Sequence, residues 1–128
     1  MSKLVICEKP SVAKAVASAL GVTSRADGCF EGNGLIVSWC VGHLVSPMDA
    51  AGYDLGYKKW KYDDLPILPE PFRYVLAKGK EDAFQNLKHL MEREDVTELV
   101  NACDAGREGE LIFRLVYEMA GCQKPFSR

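Results

Sequence analysis

The sequence predicts an α/β fold, and three observations carry that expectation. Two short apolar runs, Leu4–Val5–Ile6–Cys7 and the stretch from Glu98 to Cys103, each end abruptly in charged residues. Each run is followed by apolar residues at helical spacing, so a strand, a charged turn and a helix are written twice. A Gly/Asn tip between two β-prone runs adds a hairpin to the first unit. Charged turns at the carboxyl ends of strands are where open α/β sheets place their chemistry, and two such turns can face each other across neighbouring parallel strands.

In chain order, Leu4–Cys7 leads into Glu8–Lys9–Pro10–Ser11. Val12, Val16, Ala19 and Leu20 then mark one face of an alanine-rich helix stopped by Gly21. Cys29–Phe30–Glu31 and Leu35–Ile36–Val37–Ser38–Trp39–Cys40 flank Gly32–Asn33–Gly34 and read as an antiparallel hairpin insertion. After Val41–Gly42–His43–Leu44 the chain shows no sustained periodicity as far as about Pro71, and Pro47, Gly52, Gly56, Pro66 and Pro69 punctuate it. Arg73–Leu76 reads as a strand. Phe84, Leu87, Leu90 and Met91 give the segment from about Lys80 to Arg93 an apolar helical stripe. The strand from Glu98 to Cys103 and a helix from Arg107 to Ala120, stopped by Gly121, complete the pattern, which leaves Gln123–Arg128 outside any element.

The 128 residues amount to one domain, 1–128, with 48% hydrophobic and 27% charged residues. No apolar run approaches the length of a membrane span and no secretory leader is recognisable, so a cytoplasmic location is expected. Five cysteines without a Cys-x-x-Cys pair indicate neither a zinc site nor a disulfide framework. A formal charge of −2 argues against a stand-alone nucleic-acid binder.

The chemistry concentrates after the second strand, where Asp104, Glu108 and Glu110 crowd around Arg107 within seven residues. Such crowding suits Mg²⁺, which takes oxygen ligands and is held by one or two carboxylates together with substrate phosphates. An acidic first turn also complements the helix dipole in any protein. Gly106 and Gly109 are expected to let the backbone bend closely around these groups, Gly106 with a positive φ. Glu8 repeats the arrangement at the first strand. Farther along, Tyr53, Tyr57, Lys58, Lys59, Trp60, Lys61 and Tyr62 interleave aromatics with bases, a mixture that suits phosphates and stacked bases as well as a loop pinned to its core.

Glu8–Lys9–Pro10–Ser11 and Asp104-x-x-Arg107–Glu108–Gly109–Glu110 together resemble the Toprim domain shared by topoisomerases, bacterial primases and some nucleases. With Trp39-x-x-Gly42–His43–Leu44, and with Trp60 followed by Leu65–Pro66–Ile67, the whole chain is similar to bacterial type IA DNA topoisomerases of the topoisomerase III branch. The resemblance implies a Rossmann-like Toprim fold, a mainly parallel central sheet flanked by helices, carrying a Mg²⁺-dependent site for strand cleavage and rejoining. It implies catalytic roles for Glu8, Lys9 and Arg107 and metal ligation by Glu8, Asp104 and Glu108. Lys9, His43, Lys59, Trp60 and Lys61 become the candidate DNA-binding residues.

The implied partners are single-stranded DNA segments and the remaining domains of a longer polypeptide, of which this chain would be the N-terminal part. No membrane is implied. The nucleophilic tyrosine is expected beyond residue 128, because none of Tyr53, Tyr57, Tyr62, Tyr74 or Tyr117 matches it. A further strand is expected there too, its loss exposing a sheet edge. Gly106 stands where the wider Toprim pattern Asp-x-Asp-x-Glu has its second aspartate, which leaves one or two metal ions open. A Toprim nuclease or primase, and a receiver-like Mg²⁺-binding signalling domain, are the alternative readings.

Overall fold

Strand β1 (Ser2–Cys7) is the axis of the molecule because its last four residues are buried on both sides. A strand covered on both faces reads as a continuous apolar run rather than an alternating one, as this run does. The computed structural model describes residues 1–59, 61–68 and 73–128. Around β1 the main sheet runs β2 (Arg25–Ala26), β3 (Cys29–Gly32), β4 (Leu35–Trp39), β1, β7 (Val96–Ala102), β8 (Phe126–Ser127). Strands β4, β1, β7 and β8 are parallel, and β2 and β3 extend the sheet antiparallel from β4.

The alternation of β1 sorts the core into two layers. Leu4 and Ile6 point to the face covered by α3 (Glu81–Glu92) and α4 (Arg107–Met119), where Phe84, Leu87, Leu90, Met91, Ile112, Phe113 and Val116 complete the main core. Val5 and Cys7 point to the opposite face, covered by α1 (Pro10–Ala19) through Ala13 and Ala17, whose small side chains bring the helix close to the sheet. The connection after β1 therefore leaves on one face and the connection after β7 on the other. That makes the carboxyl ends of these two neighbours the switch point at which a crevice opens in such sheets. No described helix is long and apolar enough to cross a membrane.

The hairpin forms where expected, with Asn33 at φ 53° and Gly34 at φ 75°, the left-handed pair that a two-residue hairpin turn requires. It is not set apart from the sheet, however. Its second strand pairs with β1 from Lys3↔Leu35 to Cys7↔Trp39, so the hairpin supplies one of the central parallel strands.

The strand expected at Arg73–Leu76 forms, and one other expectation is corrected. The strand after the irregular segment, β6 (Tyr74–Leu76), joins β5 (Val45–Pro47) in a separate two-stranded sheet. Phe126–Ser127 forms β8, parallel to β7, so the end of the chain has an element and covers the β7 edge. Phe126 brings it there, its ring 5.1 Å from that of Phe113 and 4.9 Å from that of Tyr117. The segment between β5 and β6 holds a short helix α2 (Ala50–Tyr53) and 3-10 turns at Leu55–Lys58 and Tyr62–Asp64.

Candidate active site

The site is built from the two strand-to-helix turns at the switch point. After β1 the chain passes through half-buried Glu8 to Lys9, the N-cap of α1, with Pro10 in the first turn, where its missing N–H costs nothing. After β7 it passes through Cys103 and Asp104 to Gly106, the N-cap of α4. Glu8 and Asp104 stand within hydrogen-bonding reach of each other across the crevice, and that contact, followed by desolvation, raises the Glu8 proton affinity above the ordinary carboxyl range. Lys9 and His43 oppose the shift without cancelling it. Two carboxyl groups this close are also two hard oxygen donors converging on one point.

A third strand end contributes His43. The chain after β4 folds over β1, with the Cys40 N–H donating to the Cys7 carbonyl at 2.8 Å and the Gly42 N–H donating to the Glu8 carbonyl at 3.2 Å. Gly42 takes φ 64°, and Lys80 donates to the Val41 carbonyl, which ties the turn down from the far side. His43 Nε2 then lies 2.9 Å from Glu108 Oε2. Glu108 thus faces the histidine rather than the Glu8–Asp104 pair, and among the described residues no three His, Cys, Asp or Glu side chains converge as a ready-made metal cage. The two carboxylates that do converge fit a cation that completes its shell with water and phosphate oxygens.

The cations named from the sequence stand at different places. Lys9 is exposed at the start of α1, and the Arg107 side chain, at the start of α4, is 92% exposed with its neighbour Glu108 at 3.8 Å. Both stand at the helix starts that border the crevice. Lys59 and Lys61 line a small hollow of their own loop with Tyr57, Asp64, Leu65 and Ile67. Among the described residues they make no hydrogen bond or ion pair with the acidic turns. Trp60 lies outside the described residues.

The floor of the site is thiol-rich, and the Cys40–Cys103 hydrogen bond that raises Cys40 lowers Cys103. Cys7, Cys40 and Cys103 are buried; burial raises the Cys7 thiol to about 11, and a hydrogen bond with Cys103, then burial, drives Cys40 upward. Cys7 and Cys40, held as neutral thiols, act as small apolar residues.

The two glycines of the acidic turn play different parts. A Cβ on Gly109 would collide with the backbone of Asp104, its carbonyl oxygen first and its nitrogen at 2.7 Å, so α4 packs against the strand end at a distance only glycine allows. Gly106 has φ −148°, ordinary extended backbone, and a Cβ there meets nothing within 4 Å. The positive φ expected at Gly106 is therefore absent.

Three residues around the site were not singled out from the sequence: Asn101, Lys80 and Arg128. Asn101 carried a signal, as the one amide of β7, set between apolar Val100 and Ala102. Lys80 and Arg128 carried none.

A profile of the Toprim domain matches residues 3–128. The chain is 45% identical over 126 residues to DNA topoisomerase 3 of Shouchella clausii, covering 98% of this chain and 17% of that protein. It is 44% identical over 129 residues to DNA topoisomerase 3 of Bacillus licheniformis and 43% identical over 129 residues to that of Bacillus subtilis, covering 100% of this chain and 18% of each relative. The chain thus spans less than a fifth of the length of the curated relatives it matches. A parallel sheet with acidic turns at its switch point and a profile match over nearly every residue agree, and the chain belongs to the Toprim domain family.

Proposed function

We propose that residues 1–128 form one domain that supplies the acidic, phosphate-handling half of a type IA DNA topoisomerase active site of the topoisomerase III kind. The observation that carries this reading is the convergence of Glu8 and Asp104 at the switch point, close enough for Asp104 to raise the Glu8 proton affinity, with Lys9 and Arg107 exposed on either rim. The relatives named above supply the reaction class. Strand cleavage by this class moves a phosphodiester from a DNA 3′ oxygen to a tyrosine oxygen contributed by another part of the enzyme. The tyrosine hydroxyl gives up its proton to solvent as its O–P bond forms, the P–O3′ bond breaks, and the leaving oxygen takes up a proton.

Glu8, which holds its proton more tightly than an ordinary carboxyl group, donates it and takes it back on rejoining. Lys9 and Arg107 offset the charge that builds on the phosphorane oxygens. Glu8 and Asp104 would hold a Mg²⁺ ion, with Glu108 available once it leaves His43, and the ion would supply a Lewis acid for the same charge. His43, Lys59, Trp60 and Lys61 belong to the DNA-facing surface in this reading, and single-stranded DNA is the partner. Such an enzyme works in the cytoplasm.

NMR titration of the chain with Mg²⁺ tests the reading. Shifts are expected at Glu8 and Asp104–Glu108, with weak affinity because the completing phosphate is missing, and they should vanish in Glu8→Gln and Asp104→Asn. Shifts scattered over unrelated surface acids would overturn it. Nicking of supercoiled plasmid that disappears in Glu8→Ala would move the chain to the nuclease reading.

A further inference from the structure

We infer that Asn101, Glu110 and Arg128 form a positioning clamp that sets the direction in which Asp104 leaves β7, so that Glu110 serves the site without touching the cation. Cys103 lies one residue beyond the end of β7, where the sheet ladder no longer holds the backbone. Side chains take over there. The Cys103 N–H donates to Asn101 Oδ1 at 3.1 Å, and the Cys103 carbonyl accepts from Arg128 Nη1 at 3.0 Å. Glu110 joins the two holders, because its Oε2 accepts from Asn101 Nδ2 at 2.9 Å and from Arg128 Nε at 3.2 Å and Nη2. Its Oε1 accepts from Arg114 Nε at 2.8 Å, so both carboxylate oxygens are engaged.

The clamp is rigid where it matters. Asn101 is 3% exposed, on the sheet face that α4 covers, and its amide has one partner at each end. Arg128 is brought in by β8, whose Phe126 packs on Phe113 and Tyr117 and lies under the Arg114 guanidinium at 5.0 Å. The carbonyl that Arg128 holds belongs to the same peptide plane as the Asp104 nitrogen, so fixing it orients the Asp104 Cα and its carboxylate. A planar fork can reach a carboxylate and a carbonyl together; a lysine ammonium on its flexible stem is a single point charge. The metal part of this inference rests on the function proposed above, and the backbone part does not.

The test compares Arg128→Ala and Arg128→Lys with a control, Arg93→Ala. Arg93 ion-pairs with Glu31 and Asp95 near the opposite end of β7. Amide chemical shifts and hydrogen exchange at Cys103–Gly106 are read beside Mn²⁺ affinity. Arg128→Ala should speed exchange at these amides and weaken Mn²⁺ binding about tenfold, the usual scale for a ligand's supporting partner. Arg128→Lys should move both readouts part of the way, and Arg93→Ala should lower the melting temperature while moving neither.

Unchanged Asp104 amides and Mn²⁺ affinity in Arg128→Ala would overturn the clamp, as would equal changes in Arg93→Ala. Should Arg128→Ala fail to fold, Arg128→Lys decides, because amides identical to wild type there overturn it. A wild-type chain that binds no Mn²⁺ overturns the metal reading, and the amides then decide the clamp alone.

Discussion

The turn after β1 and the turn after β7 have the same layout in sequence, yet they are held in opposite ways. Glu8 and Lys9 enter α1 through a proline in the first turn, with an extended N-cap that makes no side-chain capping bond, and the Glu8 carboxyl is held by the Asp104 group opposite it. Asp104 is built in from behind, by Gly109 against its backbone and by side-chain bonds to both polar groups of Cys103. The Glu8 carboxyl is met from across the crevice, whereas the backbone of Asp104 is held from behind, a difference that suits the roles proposed above.

Substitutions can break this contrast, beginning with Gly109→Ala. The added methyl meets backbone rather than a flexible side chain, so the helix must move. A loss of about 2–3 kcal/mol is expected from such overpacking, read as a lower denaturation midpoint with displaced Asp104 resonances. A midpoint equal to wild type would mean that α4 does not need its close approach. Next, Asn101→Ala strands the Cys103 N–H and one contact of Glu110, at a cost of about 1–3 kcal/mol for unsatisfied buried groups. A substitution at Lys9, the exposed counterpart in the first turn, should stay within about 0.5 kcal/mol in the same denaturation assay.

Acidity sharpens the contrast because the two turns carry shifts of opposite sign. Arg128, then Arg114, lowers the Glu110 pKa, so the stability that Glu110 contributes is present above its unfolded pKa and is lost as pH falls through the lower folded value. Glu8 is raised by Asp104, so its contribution is present below the unfolded glutamate pKa and is lost as pH rises through the folded one. Thermal melts across the acid range should therefore show Glu110→Gln less stable than wild type near neutrality and Glu8→Gln more stable, the two differences shrinking toward low pH. The same sign for both variants would refute the assignment.

The smallest effect is expected at Gly106→Asp. Its extended φ removes the strain argument, an aspartate at the N-cap gains a few tenths of a kcal/mol over glycine, and repulsion from Asp104 and Glu108 offsets part of that gain. Stability without metal should stay within about 0.5 kcal/mol of wild type. Mg²⁺ affinity should rise if the new carboxylate reaches the cation.

The sequence by itself determined the longer strands and helices and the two acidic turns, because these depend on local periodicity and on near neighbours along the chain, whereas the short β2, β5, α2 and β8 went unread. Leu4–Cys7 could only be a buried strand, and Leu111–Met119 carried its helical stripe openly, although Leu111 proves to face solvent. The tertiary structure decided what no local pattern encodes. It made the hairpin strand a central one, placed β6 outside the main sheet and gave Phe126–Ser127 a strand, since each depends on a partner many residues away. It set Glu108 against His43, 65 residues apart, and Arg128 against Cys103, 25 residues apart. It also separated the two glycines, because only the space beyond a missing Cβ tells a close approach at Gly109 from an open cap at Gly106.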